Sequence, residues 1–240
     1  MINILKKIHL LLNGFYRNQT ERKNSYSLGG VDLLLNYIFK NKNSGIYIDV
    51  GCNHPIKNNN TYLLYKRGWS GINIDLDTSS IEQFKLLRPN DVNIASCVNN
   101  KDGLVDLYFY HDKSPINTIN KNLVNHHQKK PKEIKSIKTR TLDSILEDTK
   151  FKNEKINLLS IDTEGSELEV LEGFDLNKHS PDIVVVEFLD LEIKKLELIN
   201  QNISTILNSK IYKYMIKNKY HLVNFVHSDL IFVSEDMRNL

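Results

Sequence analysis

Apolar runs of strand length recur along this chain from Gly45 onward, with segments of helical spacing between them. Gly45-Ile46-Tyr47-Ile48-Asp49-Val50 is the first and stops at Gly51; Gly71-Ile72-Asn73-Ile74-Asp75 is the second; Val92-Asn93-Ile94-Ala95-Ser96-Cys97 is the third. Ile156 to Asp162 forms the fourth and Ile183-Val184-Val185-Val186-Glu187 the fifth. Strands joined through helices run parallel, because the crossover returns the chain to the same end of the sheet, and the helices then cover both sheet faces. The β-branched run at 183–186 suits a strand buried on two sides. The expected fold class is α/β, a mostly parallel central sheet flanked by helices.

Between and beyond these runs, Thr61 to Tyr65 has helical spacing and closes at Gly68, and Thr78-Ser79-Ser80 can cap a helix beginning near Ile81. Leu104 to Tyr110 follows a Lys101-Asp102-Gly103 turn and reads as another strand. Residues 111–135 are polar and without period, as a substrate-facing loop would be. A helix starts at Thr141, another is expected over Leu191 to Tyr214, and Tyr220 to Val233 reads as a C-terminal antiparallel hairpin. Met1 to Tyr16 is amphipathic, and its apolar run is too short for a membrane span, which takes about 20 residues. It is expected to pack on the domain or on a partner subunit, with weak membrane-surface association through residues 1–16 as its other use. The division expected is a helical appendage over 1–40 and the main domain over 41–240.

Bulk properties narrow the partners. The chain has 240 residues, two cysteines and a net charge of +3. That length builds a core without staples, two cysteines do not make a disulfide framework, and a reducing cytoplasm fits best. So even a charge balance gives no basic face for nucleic acid.

In open parallel sheets, ligands sit beyond the carboxyl ends of the strands where the strand order reverses. Asp49, Asp75, Asp162 and Glu187 each stand at or near such an end. Gly51 allows the backbone to approach a ligand where a Cβ would obstruct it. Asp75 follows at the separation from which a carboxylate accepts hydrogen bonds from ribose hydroxyls. The G-x-G-x-x-G fingerprint is absent, since Cys52, Asn53, His54 and Pro55 follow Gly51, so a pyrophosphate cradle is disfavoured. His54 is the expected neutral-pH base, and Asp162, Glu164 and Glu187 are carboxylates able to accept or orient a proton. Glu164 and Glu167 also suit the first turn of a helix, where the dipole favours acids. Adjacent His126 and His127 are poorly spaced for one ion, and no metal is expected. Trp69 is expected in the core.

Taken together, Ile48-Asp49-Val50-Gly51-Cys52-Asn53-His54-Pro55, Asn60-Thr61-Tyr62 and Gly68-Trp69-Ser70-Gly71-Ile72-Asn73-Ile74-Asp75 resemble the cofactor-binding half of FkbM-type methyltransferases. Arg140-Thr141-Leu142-Asp143-Ser144-Ile145 and the block from Ile161-Asp162-Thr163-Glu164-Gly165-Ser166-Glu167 to Gly173 resemble that family's most distinctive part, in the same order and spacing. The resemblance spans about residues 45–190. It implies a Rossmann-like class I methyltransferase fold, S-adenosylmethionine as cofactor, and methyl transfer to oxygen. One glycine and a strand-end carboxylate suffice for a cofactor without phosphate.

Carried over, Asp49, Gly51 and Asn53 would line the methionine side, with Cys52 and Thr61 in the same cofactor-binding set. Asp75 would hold the ribose, Leu76, Ser96 and Cys97 would flank the adenine, and Asp162 would lie beside the transferred methyl or the cofactor amino group. His54 stands where many members carry a plainer residue. The expected acceptor is a hydroxyl of a carbohydrate, such as a surface-polysaccharide precursor, or of a small natural product. Two other readings remain: an RNA ribose 2′-O-methyltransferase, which lacks convincing lysines here, and a non-catalytic Rossmann-like nucleotide-binding module.

Overall fold

The computed structural model describes residues 4–20, 23–112, 114, 116–125, 130–188 and 202–238. Its first half runs α1 (Ile4–Thr20), α2 (Val31–Ile38), β1 (Ile46–Val50), α3 (Tyr62–Lys66), β2 (Ser70–Asp75), α4 (Thr78–Leu87), β3 (Val92–Ala95), β4 (Cys97–Val98) and β5 (Gly103–Phe109). Then come α5 (Lys121–Val124), β6 (Glu133–Arg140), α6 (Leu142–Glu147), β7 (Leu158–Ile161), α7 (Glu167–Glu172), α8 (Leu176–His179) and β8 (Ile183–Glu187). The last part holds α9 (Ile203–Asn208), α10 (Lys210–Lys217), β9 (Tyr220–Val226), β10 (Asp229–Ser234) and α11 (Glu235–Arg238).

The main sheet has seven strands in the order β3-β2-β1-β7-β8-β10-β9. β3, β2, β1, β7 and β8 pair in parallel; β10 pairs antiparallel with both β8 and β9, which is the expected C-terminal hairpin. From β1 the chain moves outward through β2 and β3 on one side and returns on the other at β7, so the order reverses between β1 and β7. Residue parity divides the strands between two layers of core. Ile48, Ile72, Ile74, Leu159, Ile161 and Val184 bury one face under α6, α7 and α10. Tyr47, Leu158, Val185 and Ile231 bury the other against α2, α3 and Trp69. Trp69 is a core residue, its ring 4.8 Å from that of Phe39. Asp49, Asn73, Ser160 and Glu187 share the parity of this second face, at the carboxyl ends where the helices stop covering it.

Four expectations are corrected. The third strand is split: β3 stays in the main sheet, whereas β4 joins a three-stranded sheet of order β4-β6-β5. The expected loop 111–135 ends early, because β6 starts at Glu133 and runs on through residues for which no strand was expected. That strand is held by seven antiparallel residue pairs between β6 and β5 rather than by deep burial. The helix over Leu191 to Tyr214 lies partly outside the described residues; the described part is two helices, broken where Ser209 turns extended (φ −64°, ψ 155°) and caps Tyr212. Finally, α1 does not pack on the domain: Ile4, Leu5, Leu11 and Phe15 are all exposed. α2 packs against the sheet, with Val31 and Leu35 fully buried.

Candidate active site

A cavity of about 370 Å³ opens where β1, β2 and β7 end. Its floor begins at Gly51, whose amide donates to the carbonyl of Ile74 at 2.8 Å, followed by that of Cys52 at 3.2 Å. Gly51 has φ +78°, and a Cβ there would overlap the carbonyl oxygen of Asp162. Glycine is thus required by the close approach of the β7 end as well as by its backbone angle. Asn53 also takes a positive φ, of 51°, and its amide donates to Asp75 Oδ2 at 2.8 Å. Asp77 donates its amide to Asp75 Oδ1 at 2.8 Å. Each carboxylate oxygen of Asp75 retains a second lone pair, and burial pushes its pKa upward against these backbone bonds. Gly51, Asn53, Asp75, Leu76, Ser96 and Cys97 all line the cavity. Burial raises the Cys97 thiol to about 11, so it lines the wall as an apolar group.

Three residues of the expected cofactor set lie beneath the floor instead. Asp49 accepts from Asn59 Nδ2 at 3.1 Å and Thr61 Oγ1 at 2.8 Å, with none of the three facing the cavity. Cys52 packs on Ile81 and Phe84 under α4. These groups belong to a closed network built around Arg88, which is fully buried. Its guanidinium donates to the Pro55 carbonyl, to Thr61 Oγ1 at 2.8 Å and to Asn59 Oδ1 at 2.7 Å. Asp91 completes the network, accepting from Tyr47 Oη at 2.6 Å, Asn73 Nδ2 at 2.9 Å and the Gly71 amide at 2.8 Å. Burial pushes Asp49 upward in pKa and Arg88 pulls it back. The network pins the 51–55 turn from below. Arg88 carried no signal in the sequence, standing after α4 next to Pro89.

His54 does not reach the cavity either. Its Nδ1 accepts from the amides of Ile56 and Lys57, both at 3.0 Å. An acceptor Nδ1 fixes the neutral ring with its proton on Nε2, which leaves a donor where a general base needs a lone pair. His54 is therefore a turn-forming residue. Its side chain does for residues 55–57 what an Asx residue does elsewhere.

The second group of acids is unlike the first. Asp162, Glu164 and Glu187 bring one carboxylate oxygen each within 4.8 Å of one another. Asp162 and Glu164 line the cavity; Glu187 stands behind them, buried, with Oε2 lacking any hydrogen-bond partner. Asp162 is open to solvent yet surrounded by protein on most sides, because the solvent it meets is that of the cleft. Burial, with repulsion from Asp229, Asp49 and Asp75, pushes Asp162 to about 6; burial, with repulsion from Asp162, pushes Glu164 to about 8 and Glu187 well above the usual range. Glu187 shares a hydrogen bond with Asp162, whose ionised form it favours. Neighbouring Asp229, paired across strands with Glu187, is raised to about 6, chiefly by burial. Glu167 stands in the first turn of α7, as an acid there was expected to, but it is buried, raised to about 7, and its Oε1 accepts from the Thr163 and Gly165 amides at 3.0 and 2.9 Å. It thereby shapes the 163–166 turn, in which Glu164 holds φ +54°, a conformation costly for a residue with a Cβ.

The cavity roof comes from elements outside the main sheet. Leu107 and Phe109 of β5, and Lys135 and Ile137 of β6, form one side. Ser114, Asn117 and Thr118 form the rim, fastened to the acid-bearing turn by Thr118 Oγ1 donating to the Glu164 carbonyl at 2.9 Å and Asn120 Nδ2 to the Gly165 carbonyl. The polar stretch 111–135 signalled this loop in the sequence; the β5 and β6 wall had no such signal. His126 and His127 lie outside the described residues.

These walls fit S-adenosylmethionine. Ile74, Leu76, Val98 and Leu107 supply apolar surface for a base, Asp75 supplies acceptors for ribose hydroxyls, and Asp162 supplies negative charge toward a sulfonium. Nothing in the Gly51 turn forms the repeated-glycine cradle that a pyrophosphate needs. The model for the methyltransferase FkbM domain matches residues 49–222, which include the Gly51 turn, the acid cluster and the roof. Among solved structures the chain is similar to a TehB-like SAM-dependent methyltransferase from Corynebacterium glutamicum, with 12% identity, a TM-score of 0.41, and coverage of 94% of this chain and 97% of that one. No curated protein matches it. With the family match spanning well over half the chain, and a strand-end cavity suited to a nucleoside without phosphates, this chain belongs to the FkbM methyltransferases, enzymes with S-adenosylmethionine as methyl donor.

Proposed function

We propose that the acceptor is a hydroxyl group on a carbohydrate, such as a surface-polysaccharide precursor, or on a small natural product. The observation that carries this is the make-up of the lining: the Ser114 hydroxyl, which has no hydrogen-bond partner of its own among the described residues, lines the cavity together with the carboxylates of Asp162 and Glu164, on a rim that Asn117 and Thr118 hold in shape. Such a rim pairs with polyhydroxylated compounds, and the acids offer somewhere for a hydroxyl proton to go. S-adenosylmethionine supplies, when bound, an electrophilic methyl group on a positively charged sulfur. The protein's share is to hold acceptor and donor in line. Glu164, raised to about 8, changes charge close to neutral pH. Transfer of radiolabelled methyl from S-adenosylmethionine into purified glycans or small hydroxyl compounds tests the proposal. Label found only in RNA, or only on nitrogen, sinks it.

RNA gains no support from the site. Lys135 is the one lysine among its described lining residues, and its ammonium is engaged by Glu133 at 3.0 Å and by the Phe109 ring.

The setting proposed is cytoplasmic, supported by two buried free thiols, Cys52 and Cys97, with α1 as a weak membrane-surface attachment. No described helix is long and apolar enough to cross a membrane. On α1, however, Ile4, Ile8, Leu11, Leu12 and Phe15 share one exposed stripe, with Lys6 and Lys7 off it and no acid between Ile4 and Tyr16. That pattern complements an anionic lipid surface. Flotation with vesicles rich in anionic lipid should carry the protein, and Leu11→Asp should abolish this. Equal flotation of that variant would reject the attachment.

A further inference from the structure

We infer that Asp162, Glu164 and Glu187 form a site for one hard divalent cation, Mg²⁺ or Mn²⁺ in class, at the inner edge of the cofactor cavity. The inference rests on the methyltransferase reading and adds to it the means of holding and activating the acceptor hydroxyl. Three observations carry it. One carboxylate oxygen from each residue lies within 4.8 Å of the others. Oxygens on opposite sides of a Mg²⁺ or Ca²⁺ ion stand about 4–5 Å apart, so a single ion bridges such a set with small side-chain rotations.

The second observation points to a missing ligand independently of that spacing. Glu187 is only 8% exposed, and apart from the bond it shares with Asp162 inside the cluster its carboxyl has no partner among the described residues, Oε2 meeting no donor. Burying a polar atom unpaired is costly, and native structures rarely leave one so. A bound cation satisfies it. The third is the absence of protein cations: no Lys or Arg makes an ion pair with Asp162, Glu164 or Glu187 among the described residues. Where the same sheet buries Asp49, it supplies Arg88.

An all-oxygen donor set selects hard cations over zinc or copper. Two of the three ligands line the cavity, so coordination positions remain open toward the cleft. An acceptor hydroxyl bound there through its oxygen gives up its proton more readily, the proton passing to water in the open cleft. The acids then act through the ion and not as the direct proton acceptor.

The test is titration of the purified full chain with Mn²⁺, following the free-ion signal by electron paramagnetic resonance, beside calorimetry with S-adenosylmethionine on the same samples. One Mn²⁺ per chain is expected, with affinity at least tenfold weaker in both Glu187→Gln and Glu164→Gln. Glu164→Gln alters a residue on the cavity side, so it remains informative should Glu187→Gln fail to fold. Exposed Glu154→Gln should bind as the parent does. No saturable Mn²⁺ binding, or undiminished affinity in the folded variants, overturns the inference. Should S-adenosylmethionine bind while Mn²⁺ does not, the cation alone is lost. Should neither bind, the methyltransferase reading beneath it fails as well.

Discussion

Two clusters of buried acids sit at the strand ends of one sheet face, and they were satisfied in opposite ways. Around Asp49 and Asp91, donors converge on Asp49 Oδ2 and on both oxygens of Asp91, and a guanidinium lies beside them. Around Asp162, acids face acids: repulsion from Asp229 adds to the burial of Asp162, repulsion from Asp162 adds to that of Glu164 and Glu187, and one oxygen goes unpaired. A closed network of the first kind fixes a backbone turn, whereas an open one keeps unspent affinity for something that arrives from outside. The same signal in sequence, an aspartate closing an apolar run, therefore serves structure at Asp49 and chemistry at Asp162.

The contrast is most open to attack at Arg88. Arg88→Met should strand two buried carboxylates and release the Pro55 carbonyl, costing about 3–5 kcal/mol in urea unfolding; a cost below about 1 kcal/mol would mean that the first cluster is not held by its cation. Asp75→Ala comes next: calorimetry should show a loss of about 1–3 kcal/mol in S-adenosylmethionine affinity, the cost of unpaired hydrogen-bond partners, and unchanged affinity would remove Asp75 from the site.

A pH series probes the second cluster. Asp162 and Asp229 titrate at about 6, Glu167 at about 7 and Glu164 at about 8 in the folded chain, against about 4 when unfolded. Raised values mean that the folded state holds protons the unfolded chain has released, so stability is lost as pH rises through these values. In metal-free buffer the Tm should fall between pH 5.5 and 8.5 by more than about 3 °C, roughly what 1 kcal/mol produces at this size. A Tm that rises over that interval contradicts the repulsion described. The smallest effect belongs to His54→Ala, which should cost about 1 kcal/mol of stability through two lost backbone bonds and leave turnover nearly intact. A drop of about a hundredfold or more, as general bases show, would restore His54 to catalysis.

Strand positions were readable because burial on both faces leaves continuous apolar runs, and the carboxyl-end rule located the cavity before any coordinates did. Gly51, Asp75 and Asp162 were found in that way, and the family resemblance added Asn53, Leu76, Ser96 and Cys97 to the lining. What sequence could not separate was the front of the wall from its back. Asp49 and Thr61 differ from Asp75 only in facing Arg88, a residue from another helix end. His54 looked like a base because its ring is basic, and only the geometry shows Nδ1 already serving two amides. β6 was missed because its lysines are tolerated on a ribbon with one wet side.

The reversal of strand order between β1 and β7 also governs when this pocket can exist during synthesis. Tyr47 finds Gly71 early, but its other neighbour, Leu158, is made much later. Until β7 docks, the Gly51 turn lacks the Asp162 carbonyl against which it closes. A chain emerging from the ribosome thus carries the ribose-holding half long before it has anything to hold, and closing so large a loop is slow. Cofactor bound afterwards acts as a latch, lowering the population of unfolded chain only once both halves have met.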